Sequence, residues 1–158
     1  MLKLRKTLLN LAIGELAACA AFIFLFIYTE AGLASLISLV FLVFMLVQGS
    51  WYWLVRYRLL IRNRPLHRNI VVTLRILNGV NLVFCIAVPI AIAVTFSSRI
   101  DLWIGLAVYL FAVIEYINYY WYRLSYGKSG FNIWILFSKK LMKSSIRKLL
   151  KKYDDGFR

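Results

Sequence analysis

Four apolar runs, at residues 8–28, 34–56, 70–96 and 102–122, constrain this chain more than any other feature. A helix rises 1.5 Å per residue, so about 20 residues cross a hydrocarbon core of ~30 Å. A segment at that depth must satisfy its own backbone, which leaves helices or a closed barrel, and strands that span are only ~9–11 residues long. The runs therefore predict an all-α integral membrane protein. The chain is 63% hydrophobic, well above the ~45–50% of soluble domains. The connections TEAGL and SSRID are short, which makes neighbouring helices antiparallel and the four-transmembrane-helix bundle compact.

The first run contains a competing signal. "LAAC" (Leu16–Cys19) follows a basic start, MLKLRK, as in the cleavage box of a bacterial lipoprotein. A signal peptide has a short apolar core followed by polar mature sequence. Here Glu15 interrupts the core just before the box, and AAFIFLFIY continues it to Tyr28. Cleavage would strand half a membrane helix. The run is read as a spanning helix with a carboxylate inside it. The third run carries Pro89, which frees the carbonyl of Cys85 and is expected to kink or tilt its helix.

Charge predicts orientation. The chain has 20 Lys+Arg against 6 Asp+Glu, a net charge of +14. Every basic residue except Arg99 falls in the N-terminal segment 1–7, the loop 57–69, the tail 123–158, or a helix end facing them, counting Arg75 as near that side. Glu30, Arg99 and Asp101 share the other side. By the positive-inside rule both termini are cytoplasmic. The short loops and Lys-rich inner side fit a multi-pass protein of a bacterial cytoplasmic membrane.

Polar residues recur at one depth. Counted inward from the basic side, Glu15, Gln48, Arg75, Asn78, Asn81, Glu115 and Asn118 occupy a slab, with Tyr119 beside them. Charges there are costly and have to face the bundle interior and find partners. Arg75 is the slab's only cation and cannot pair fully with both Glu15 and Glu115. Gly14, Gly49 and Gly79 fall at similar depth and permit close approach. The slab is read as interhelical glue, as a ligand or proton site open to the cytoplasm, or as a docking face for another membrane protein.

Aromatic residues crowd the basic ends of the second and fourth runs, WYWLVRY and YINYYWYRLSY, consistent with an interfacial belt or, less simply, a cage for an organic cation. In the tail, Met142, Ile146, Leu149, Leu150 and Tyr153 line one side of a helix, with Lys140, Lys143, Arg147, Lys148 and Lys151 opposite. This predicts a C-terminal amphipathic basic interfacial helix lying on an anionic inner leaflet. Trp134 and Phe137 would anchor its start, and Lys139 and Lys152 add to its charge.

Chemistry is sparse. The chain has a single histidine, His67, in a basic loop, and two cysteines, Cys19 and Cys85, both in apolar runs. That excludes haem held by paired histidines, and disulfide scaffolding is not expected. No metal site, cofactor, catalytic constellation or nucleic-acid motif is recognised, and no nucleic-acid partner is expected. Three function classes remain. The first is a non-enzymatic accessory, regulatory or immunity-type partner of another membrane protein, or of a second copy. The second is a small solute or proton-coupled carrier using Glu15, Arg75 and Glu115. The third is a membrane enzyme acting on a lipid-like substrate.

Overall fold

The computed structural model describes residues 2–29, 31–62, 67–122 and 143–155. Within them the chain is helical. Helix α1 spans Leu2–Tyr28, α2 Leu33–Arg62, α3 Arg68–Thr95 and α4 Arg99–Tyr116; α4 continues into a π-helical turn, Ile117–Trp121, and a short α5 spans Ser145–Asp155. The first four, counting α4 through Trp121, are long and apolar enough to cross a membrane.

Two helices run well past the apolar runs that announce them. Helix α1 begins at Leu2 rather than 8, and α2 continues to Arg62 rather than 56. Apolarity marks what lies in hydrocarbon, not where a helix stops. Lys, Arg and Leu are good helix formers, and no Gly or Pro interrupts residues 2–8 or 56–62.

The helices alternate in direction, and α2 is the hub. It packs against α1, α3 and α4, and α3 also packs against α4. Of its most apolar stretch 61% is buried, against 11% for α1, so α1 is an outer helix presenting one narrow face. Aromatic rings key the register. Phe41 and Phe44 of α2 meet Phe84 of α3 at 5.4 and 5.5 Å between centroids, and Phe22 of α1 meets Phe111 of α4 at 5.3 Å. Helix α3 stays helical through Pro89. The carbonyl of Cys85, left without its intrahelical donor, accepts the Tyr109 hydroxyl at 2.8 Å. A side chain from α4 thus replaces the bond that proline removes.

At the end away from the basic residues, α4 holds the start of α2. The first backbone N–H groups of a helix have no intrahelical acceptor. Asp101 supplies one: its carboxylate accepts the Ser35 N–H at 2.9 Å and the Ser35 hydroxyl at 2.6 Å. Its other oxygen accepts the Ser97 N–H at 3.2 Å. The Ser98 hydroxyl in turn accepts the Asp101 N–H at 3.1 Å, capping α4 itself. A Cβ at Gly32 would collide with the Asp101 carboxylate, so glycine is what lets the chain enter α2 this close to α4.

Candidate functional site

Toward the basic end, the polar side chains of the slab sort into two groups on different sides of α2. The first group closes on itself. Gln48 (α2) and Asn81 (α3), both buried, exchange amide hydrogen bonds of 3.0 and 2.8 Å. Tyr120 donates to Gln48 Oε1 at 3.1 Å, and Tyr116 donates to Asn78 Oδ1 at 3.0 Å. A reciprocal amide pair uses one donor and one acceptor site of each partner; Tyr120 fills the second acceptor site of Gln48, and neither amide has a buried polar atom without a partner. This clasp joins α2, α3 and the end of α4.

The second group holds the carboxylates. Tyr119 crosses α2 and donates its hydroxyl to Glu15 of α1. It passes over Gly49, where a Cβ would strike the phenol, so the absence of a side chain at Gly49 makes the passage. Glu115, one turn before Tyr119, accepts from Asn118 at 3.3 Å. Glu15 and Glu115 are close enough for their charges to act on one another. Both are half-buried, whereas Tyr119 is buried. One turn beyond Gly49, the buried indole N–H of Trp53 faces the Tyr119 hydroxyl without closing a well-formed hydrogen bond. Alongside, the Ser50 hydroxyl donates to the Ala12 carbonyl at 3.0 Å, tying α2 to α1.

Both tyrosines of this division lie in the π turn and are buried, Tyr119 reaching Glu15 and Tyr120 reaching Gln48. π-Bulges of this kind recur at functional sites.

Of the residues placed in the slab by depth, all but Arg75 lie in these two groups. Arg75 is exposed on α3. Steps of three along a helix drift by ~60° each, so Arg75 and Asn81 diverge by ~120°, and the one that faces inward is Asn81. Depth alone does not carry rotational phase. Tyr116 and Tyr120, which the sequence places in an interfacial belt or a cation cage, also belong to the site. The doubled tyrosine at the end of a span was their signal.

The tail is described from Lys143 onward. Trp134, Phe137, Lys139, Lys140 and Met142 lie outside the described residues, as does the side chain of Lys152. Helix α5 does not present its apolar side outward as a free interfacial helix would. Ile146 is 2% exposed within the bundle core, and Leu149 and Leu150 pack against that core. Lys143, Lys148 and Lys151 are exposed, and the Arg147 guanidinium lies 5.5 Å from the centre of the Tyr122 ring.

Among the described residues no group of His, Cys, Asp and Glu is arranged to hold a metal ion. No family model, curated protein or solved structure matches this chain.

Proposed function

We propose that this chain is a non-catalytic protein of a bacterial cytoplasmic membrane, with both termini inside, that acts by contact with another membrane protein. An accessory, regulatory or immunity-type role fits this reading. The observation that carries it is the closed amide clasp of Gln48, Asn81 and Tyr120, with Tyr116 on Asn78. Polar groups satisfied by one another hold a bundle in register rather than receive a solute. Large apolar side chains face outward instead, among them Phe24 on α1 and Val83, Ile86 and Ile90 on α3. The one-sided placement of Lys and Arg supports the orientation.

Native mass spectrometry of the protein extracted from its own membrane in mild detergent tests this. A stoichiometric second membrane protein is expected, released by charge reversal in the basic segment 56–62. A bare chain that retains a small ligand, and loses it in the Glu15→Gln/Glu115→Gln double variant, overturns it. That outcome supports the second reading, a small solute or proton-coupled carrier. One observation favours that second reading: Glu15 accepts the Tyr119 hydroxyl at intramembrane depth, outside the clasp, with Glu115 on the preceding turn of α4.

A further inference from the structure

Helix α5 is pinned to the end of a membrane-spanning helix. The Ser144 N–H donates to the carbonyl of Trp121, the last residue of the π turn, at 3.1 Å, and Tyr122 and Lys143 pair as an isolated antiparallel bridge. Ser144 is itself buried, and its hydroxyl caps α5 by accepting the Arg147 N–H at 3.1 Å. Ile146 lies in the same core cluster as Tyr52, Leu74 and Tyr120. The helix therefore starts one residue after Ser144, which is hydrogen-bonded to Trp121, a residue 47% exposed at the end of its span. Tryptophan in that position marks the headgroup level.

Two consequences follow. The apolar side of α5 is turned to the protein, with Ile146 buried and Leu149 and Leu150 packed against the core, so little of it is left for lipid. Lys143, Lys148 and Lys151 are placed by backbone and core contacts of this segment rather than by insertion into a leaflet. Arg147 is occupied over Tyr122, while Lys143, Lys148 and Lys151 face outward.

We infer that Lys143, Lys148 and Lys151 form a docked, purely electrostatic binding face for the phosphate headgroups of anionic phospholipids. The inference rests on the reading that this end of the bundle lies at a membrane surface, and it does not need that surface to be cytoplasmic. Ammonium groups on flexible stems suit a phosphate as point charges, without a fixed fork geometry. A zwitterionic headgroup offers no net charge to such a face. Attraction of this kind acts within a Debye length and weakens with salt.

The test uses the full chain in nanodiscs of equal phosphatidylglycerol and phosphatidylcholine, with retained lipids counted by native mass spectrometry. The wild type is expected to retain phosphatidylglycerol selectively, and Lys143→Gln/Lys148→Gln/Lys151→Gln to lose that selectivity on the order of ten- to a hundredfold. Lys3→Gln/Lys6→Gln, which removes exposed charge from the start of α1, is expected to keep it. Selectivity unchanged in the triple variant overturns the inference, as does an equal loss in the α1 variant. Displacement of the lipid by an acidic protein co-purified on the same lysines overturns it too. Both leaflets of a nanodisc carry the same lipids, so these outcomes are independent of sidedness. A reporter fused to the C-terminus reads sidedness separately, and an external reporter defeats the orientation reading while leaving the lipid result standing.

Discussion

Asp101 and Glu15 are both carboxylates inside a bundle of apolar helices, and the protein treats them in opposite ways. Asp101 is 2% exposed and is surrounded by donors from two serines, one of them at the start of another helix. Glu15 is half-buried, reached by a single phenol across a glycine, with a second carboxylate nearby. A carboxylate whose acceptor sites are filled by fixed donors is a structural part. One with a single donor and a like-charged neighbour keeps capacity for a proton, a cation or a partner's donor. Burial by itself does not separate the two cases; the number and rigidity of donors does.

The largest effect is expected at Asp101. Asp101→Ala removes the acceptor for the Ser35 and Ser97 N–H groups and uncaps α2. Ser35 is buried whereas Ser97 is exposed and can turn to water; a buried donor left unsatisfied costs about 1–3 kcal/mol, so a loss of about 2–3 kcal/mol is expected in detergent unfolding followed by circular dichroism. A loss below about 1 kcal/mol would mean water replaces the carboxylate, and the contrast with Glu15 would collapse.

The amide clasp should give an intermediate effect with a distinctive signature. Gln48→Leu strands the amide of Asn81 and the hydroxyl of Tyr120, and Asn81→Leu strands that of Gln48. Each single variant is expected to lose about 1–2 kcal/mol. The double variant should lose less than the sum, with a coupling of about 0.6–1.7 kcal/mol, as interhelical polar pairs in membranes show. Strict additivity in the unfolding cycle would mean that the pair is not a unit, and the division of the slab into two groups would fail.

The spans and the depth of the polar layer were legible because hydrophobicity and length are one-dimensional properties. Rotational phase was not. Arg75 shares the depth of Asn81 but not its face, and nothing in the apolar pattern announces the π turn at Ile117–Trp121 that holds the buried Tyr119 and Tyr120. The role of Asp101 was half-visible: Ser98 and Asp101 have capping-box spacing, yet the carboxylate serves Ser35 of a different helix, which only the packing of α4 on α2 brings within reach. The apolar side of α5 posed a different problem. A sequence shows that Ile146, Leu149 and Leu150 share a side but not whether lipid or protein receives it, because both are equally apolar.

The smallest expected effect is also the sharpest test of the opening contrast, because the same chemical change is made at both sites. Asp101→Asn turns an amide NH2 toward the Ser97 N–H or the Ser35 N–H, setting donor against donor, and is expected to lose about 2 kcal/mol. In Glu15→Gln the side-chain carbonyl still accepts the Tyr119 hydroxyl. Stability should therefore change by less than about 0.5 kcal/mol, within the range of substitutions that break no buried network. Tyr119→Phe is the companion variant, since it keeps the ring over Gly49 and removes only the hydroxyl. If both leave unfolding in detergent near wild type while Asp101→Asn does not, the Glu15 end is free to serve a purpose other than holding the fold. If Glu15→Gln costs as much as Asp101→Asn, Glu15 is a structural part like Asp101, and the carrier reading loses the observation that favours it.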